Sequence, residues 1–511
     1  MRAILLGESF TDEEGTEYRY EEIANEQSLV LTFASNLALT GPISGIQRMN
    51  VTFRSQETPV IVSQTAAENL MQFAAPVQLT WQGVQQQGIQ SAQGLAQTTG
   101  ASTITFEDTQ LELTTTAGRV VNNNQAHLHF KGTNVVTTAT SSIPTLFMAE
   151  GLFVEGQLTV NHRSSNATPI FEMNQVAVAS QAEISVTRST NSNTGTVFHM
   201  TGTAASLDFG QGSMTTIRQS GAMVSLPNAN QDSRLTLATG ATLDVGTGQG
   251  LSGNSTSTLG EIRLQAGSQL KLSEYGTVST TPAINVGRRF IVENSTADQP
   301  TIIEGTRTGT TTGAFIHVRS SEAEVRFGAF TQMNVNQTGP VLTASLADVF
   351  VGENTRIDAA TGNGFTGSTM VKSFRMEDNS HIELQERTSN NSNVQRFFVR
   401  DSFVTGNDVT LNAKRQVTTG DAAFMQLQAA NARFISGDNN QMTISQRGAI
   451  FTGSATTSEL HFGKENTIQL TSGRGLTGST GSTRRMVVGE ETKIFVYEPV
   501  SYTHLTLPTK A

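Results

Sequence analysis

Large apolar residues recur along the chain at the spacing i, i+2, i+8, i+10, two alternating pairs joined by a short polar bridge. Val176, Val178, Ile184 and Val186 form one such quartet. Leu235, Leu237, Leu243, Val245 and Ile262, Leu264, Leu270, Leu272 form the next two, followed by Val325, Phe327, Met333, Val335 and Phe374, Met376, Ile382, Leu384. Leu460, Phe462, Ile468, Leu470 and Met486, Val488, Ile494, Val496 complete seven matches. Near-matches at Val349/Val351/Ile357 and Phe434/Met442/Ile444 fall in the gaps, so consecutive starts lie 24–27 or 59–63 residues apart, one repeat or two. Alternation within each pair is the period of a strand buried on one side, and Val, Ile, Leu and Phe dominate it.

The bridge usually carries glycine (Gly240, Gly267, Gly328, Gly352, Gly437, Gly463, Gly489), expected to supply the positive φ of a tight corner. After the second pair comes a looser polar stretch, as in Arg188 to Thr196 or Arg387 to Asn393. A third apolar cluster then closes many repeats: Val197-Phe198-Met200, Phe315-Ile316-Val318, Phe397-Phe398-Val399, Phe424-Met425-Leu427. Three short strands in about 28 residues predict one coil of a triangular β-solenoid. The expected fold is therefore all-β, a right-handed parallel β-helix forming a single domain over residues 29–499. About 17 coils at ~4.8 Å each predict a rod on the order of 80 Å long between Leu29 and Val496. No stretch after about residue 30 keeps a 3.6-residue period over three turns. Glu17 to Gln27 is the best helix candidate, and a short helical cap within residues 1–28 would cover the open strand edges of the first coil.

Composition narrows the class. The 511 residues include no cysteine, one tryptophan and 46 glycines, and only 15% are charged. That excludes a disulfide scaffold and cysteine-based zinc or redox sites. A formal charge of −10 disfavours nucleic acid and anionic membrane as partners. No run approaches the ~20 apolar residues of a membrane span, so no membrane insertion is expected. Arg2-Ala3-Ile4-Leu5-Leu6 is too short for a signal-peptide core, and the chain is expected to be a fragment that has lost its natural start. The last twelve residues, Val500 to Ala511, break the repeat and resemble a translated sequencing-adapter scar. They are expected to be non-native, and Leu507-Pro508-Thr509 is read as part of that scar, not as the start of a wall-sorting signal.

Candidate chemistry is sparse. Clustered carboxylates with a neighbouring arginine serve as calcium ligands or acid/base pairs. The candidates are Glu353, Asp358, Glu377, Asp378, Glu383 and Glu386 with Arg356, Arg375 and Arg387. Acids also populate any solvated face, and no Asp-rich motif repeats, so no catalytic residue is assigned. His127 and His129 flank Leu128 and should share one face of a strand, yet lack a third ligand at close spacing, so no metal or other cofactor is assigned. His162, His199, His317, His381 and His461 are scattered. The stretches Gly246 to Gly250 and Gly473 to Gly475 open no helix and are expected to be loops, not phosphate cradles. Trp81, Tyr18 and Tyr20 would stack on sugars if exposed.

One segment carries a family resemblance. Leu29-Val30-Leu31, Asn36-Leu37-Ala38-Leu39 and Met49-Asn50-Val51-Thr52-Phe53, within Tyr20 to Ser55, resemble the opening coils of the bacterial pectate-lyase-like adhesive domain. That resemblance implies a right-handed parallel β-helix in large surface proteins of Gram-positive bacteria. It implies a non-catalytic adhesin or stalk at the extracellular bacterial cell surface, with host or microbial glycans or matrix proteins as partners. The same scaffold also carries polysaccharide lyases and glycoside hydrolases, phage tail-spikes and autotransporter passengers, and fold does not choose among them.

Overall fold

Burial follows the sequence alternation. The structure, a computed structural model, describes residues 28–497 apart from short stretches, chiefly 65–70, 190–194, 253–257, 277–280, 387–394, 416–421, 454–458 and 478–484. It also describes the strands Phe10–Thr11 and Glu17–Tyr18. Val176 and Val178 point inward from strand Gln175–Val178, and Ile184 and Val186 from strand Glu183–Arg188. Each strand pairs in parallel with its equivalent one coil on, so Val176, Leu207, Leu235 and Ile262 form one buried column. Inward residues of six of the seven quartets are buried. In the seventh, Met486, Val488 and Val496 are exposed at 50%, 43% and 44%.

The architecture is a parallel β-solenoid, all-β throughout the described residues. The chain divides into two compact units, Met1–Arg289 and Phe290–Ala511. In the first unit, face one stacks strands such as His127–Lys131 on Gly151–Val154, and face two stacks Thr133–Thr138 on Gln157–His162. Face three stacks Phe147–Met148, Phe171–Met173 and Phe198–Met200. The second unit has the same three faces: Asp348–Val351 and Val371–Met376 on face one, Arg356–Thr361 and His381–Glu386 on face two, and Met425–Leu427 and Phe451–Gly453 on face three. Of the expected helical cap, Glu17–Tyr18 pairs antiparallel with Phe10–Thr11. Residues 19–27 and the expected scar from Val500 onward lie outside the described residues.

In-register stacking places like side chains over like. Phe147, Phe171 and Phe198 stack at 5.0 and 5.3 Å on face three of the first unit. Phe374, Phe403 and Phe434 stack at 4.9 and 5.8 Å on face one of the second. Offset stacking at these separations adds about 0.5–1.5 kcal/mol per pair beyond the area buried.

The corner between faces one and two corrects the role given to its glycines. Gly240 and Gly267 do take positive φ, at 69° and 70°. Gly437, Gly463 and Gly489 do not; they open their corners, and a Cβ there would collide with the backbone of the coil before. The left-handed residue comes two positions later, at Asn439, Glu465 and Glu491, with φ of 56–58°. Non-glycine residues accept αL at a cost of about 1–3 kcal/mol when the surroundings fix them. What fixes Asn439 and Glu465 is a buried polar residue at the fourth position, Asn440 and Asn466. The Asn440 amide donates to Thr405 Oγ1, Gly406 O and Ser436 Oγ at 2.9 Å each, while its Oδ1 accepts from the Val409 amide at 2.6 Å. Asn466 repeats the pattern one coil on, its Oδ1 accepting from the Asn440 amide at 2.6 Å.

At the far end of face two, inward positions are polar instead of apolar. His162, Arg188, Gln219 and Thr247 form this column in the first unit; Gln337, Thr361, Glu386, Arg415 and Gln446 form it in the second. Gln219, Gln337 and Gln446 each donate to the carbonyl three residues on (Ala222, Pro340, Ala449) and so close a short corner into face three. Arg188, Glu386 and Arg415 stand where nine or ten residues separate the column from the next face-three strand. Glu386 is buried between Arg396 at 2.6 Å and Arg415 at 3.6 Å. His162 is 1% exposed beside Arg188, and burial first, then the Arg188 charge, pushes its pKa down to about 3.

Candidate functional site

Outward positions of face two in the second unit assemble the densest set of functional groups. Strand His381–Glu386 turns Ile382 and Leu384 inward, so His381, Glu383 and Gln385 face out. One coil earlier, Arg356, Asp358 and Ala360 occupy the same positions, and Gln332, Asn334 and Asn336 the coil before that. Ala360 is the smallest of these side chains. The dip it leaves is an open groove of about 360 Å³ lined by Asn334, Asn336, Arg356, Asp358, Glu383 and Gln385.

Arg356 Nε donates to Asp358 Oδ2 at 2.7 Å, and its Nη2 lies 3.9 Å from Glu383 Oε2. His381 Nε2 stands 3.7 Å from both Asp358 Oδ1 and Glu383 Oε2, too far for a hydrogen bond. Burial, then the Arg356 charge, lowers the His381 pKa against the opposing pull of Asp358 and Glu383. The imidazole is therefore neutral at pH 7 and keeps a lone pair on the ring. Asp358, His381 and Glu383 are the one trio among the described residues whose ligand atoms converge, all within 4.8 Å.

Of the acids singled out in the sequence, only Asp358 and Glu383 come together. Glu377 pairs with Arg375 at 2.6 Å, and Asp378 accepts from the Asn407 amide at 2.7 Å in the corner. Glu353 lies in another corner, Glu386 points into the core, and Arg387 lies outside the described residues. His381 was missed among scattered histidines. Its signal was present: it precedes Glu383 by two residues on a strand, and Asp358 sits 25 residues before Glu383, one coil away.

His127 and His129 share the outer side of face one as expected. They do not converge on one point: His129 Nε2 meets Glu155 at 3.0 Å and its ring lies 4.8 Å from the Phe153 ring, while His127 stands against Gly151. Trp81 is 1% exposed and stacked on Phe53 at 4.4 Å, which removes it as a sugar platform. The Tyr18 side chain and all of Tyr20 lie outside the described residues. Gly246 is in strand Thr242–Thr247 rather than a loop, whereas Gly250 and Gly475 occupy corners with φ of 78° and 74°. Among the described residues no helix is long and apolar enough to cross a membrane. No family model, curated protein or solved structure matches the chain.

Proposed function

We propose that the chain is a non-catalytic adhesion module of a bacterial surface protein that holds glycans along face two of its second unit. The observation that carries this reading is the ordered array of polar groups there. Asn334, Asp358, Glu383, Asn412, Thr443 and Gln469 stand in one outward row, each a coil from the next. Beside them run Asn336, Gln385, Lys414, Ser445 and Thr471. Amides, carboxylates and hydroxyls at a ~4.8 Å repeat suit the successive hydroxyls of an extended polysaccharide. Each contact is weak and water-exposed, so affinity would come from many of them at once and from copies presented together. The sequence resemblance to an adhesive-domain family points the same way. Binding is tested by titrating the purified chain against polygalacturonate, alginate and host glycans. Saturable binding that falls at least about tenfold in Asn334→Ala/Gln385→Ala supports it, and binding indifferent to that change refutes the assignment of the face.

A second reading, hydrolysis or elimination on the same scaffold, is favoured by one feature: the Asp358 and Glu383 carboxylates lie on adjacent coils with Arg356 beside them. Paired carboxyls about 5 Å apart suit a retaining glycosidase. Reducing or unsaturated ends released from those polymers, with or without calcium, and abolished by Asp358→Asn and Glu383→Gln, would replace the adhesion reading with this one.

A further inference from the structure

We infer that Asp358, His381 and Glu383 form a binding site for one divalent first-row transition ion, with zinc(II) as its simplest occupant. Three observations meet here. Asp358 Oδ1 and His381 Nε2 are both out of reach of solvent and, among the described residues, neither has a hydrogen-bond partner. They face each other at 3.7 Å, a separation that leaves an acceptor and a ring nitrogen unsatisfied unless something sits between them. Glu383 Oε2 completes a triangle, 3.7 Å from the same nitrogen and within 4.8 Å of the Asp358 oxygen. A point equidistant from the three lies roughly 2.4 Å from each, and an inward shift of about 0.3 Å reaches zinc–nitrogen and zinc–oxygen bond lengths.

The donor set selects the ion. An imidazole with two carboxylates suits zinc and its neighbours, whereas calcium and magnesium take oxygen ligands. Three protein ligands, of which Asp358 and Glu383 line the groove, leave a coordination position open, as in exchangeable rather than purely structural sites. Arg356 is the opposing term, a cation bonded to the other oxygen of Asp358. Its side chain is 54% exposed, so it can orient the carboxylate from the outer shell or swing toward water as the ion enters. The inference is independent of glycan binding, because it concerns only the ion.

Isothermal titration of the whole chain with zinc chloride tests it, with cobalt(II) absorption as a direct report of ligation and far-UV circular dichroism as the check on folding. One equivalent should bind saturably. Binding should be lost in His381→Ala and weakened at least about 100-fold in Asp358→Asn, while His129→Ala leaves it unchanged. Absence of saturable zinc binding overturns the inference. So does zinc binding that survives His381→Ala, or that is lost in His129→Ala instead.

Discussion

Replacing His162 with glutamine should remove an acid-labile point from the core of the first unit. His162 is buried in the polar column beside Arg188, and, among the described residues, neither ring nitrogen has a hydrogen-bond partner. Its pKa falls from 6.5 to about 3 on folding. Because the folded value is the lower one, the unfolded chain binds the extra proton between these limits. Stability is therefore complete above pH 6.5 and drains as pH falls toward 3. At pH 4.5 the drain is about two pH units of linkage, or about 2.7 kcal/mol. Glutamine fills the equivalent column position on other coils, at Gln219, Gln337 and Gln446, and does not titrate. His162→Gln should thus lose about 2.7 kcal/mol less than the parent between pH 7.5 and 4.5, with other groups cancelling in the comparison. A solenoid opens regionally, so hydrogen exchange of strands Gln157–His162 and Glu183–Arg188, corrected for intrinsic rates, is the suitable assay. Equal pH sensitivity in the two chains would show that His162 is not held neutral by burial.

Two further perturbations test the corners and the core. Ile262→Asp places a carboxylate at a fully buried position on face one, and several kcal/mol should be lost, seen first as faster exchange in the stacked strand Asn230–Leu237; unchanged protease resistance and melting would contradict the inward assignment. Asn440→Ala orphans the Val409 amide and the Gly406 carbonyl, and should cost about 2–4 kcal/mol of local stability, with Asn440→Thr (the residue at the matching position 355) recovering part of it; equal loss in the two would deny the side chain its bridging role.

The faces were legible in the sequence because a two-residue alternation survives translation from one coil to the next. Ile262 and Leu264 announce themselves as inward without any knowledge of what lies above them. The corners were less legible. Gly437 and Gly240 look alike in sequence, yet one leaves room for the carbonyl of the coil before while the other takes the left-handed turn. That difference depends on a neighbour about 30 residues away. Buried polar positions were hidden for a related reason: Glu386 reads as a surface acid until the passage into face three brings Arg396 to it and stacking brings Arg415. The site was half legible. Asp358, Glu383 and Arg356 appeared among the acids and arginines of one segment, but only the coil register sorts them from Glu377 and Asp378 and adds His381.

The corner between faces one and two varies from one residue (Gly132) to four (Ala179 to Ala182) in the first unit, but at Gly437 and Gly463 of the second it sets where the chain tolerates a change of length. It holds four residues from Gly437 to Asn440 and again from Gly463 to Asn466, because its first residue fits under one coil and its fourth bonds to the next. One residue more would turn the following strand over and present its apolar row to water. The passage from face two to face three obeys no such rule: Gln219 reaches Val224 in five steps, whereas Arg188 takes ten to reach Phe198. Reading frame, in the structural sense, is thus kept at one edge and relaxed at another. An inserted peptide tag would be carried after Arg188, and the same tag after Asp438 would not.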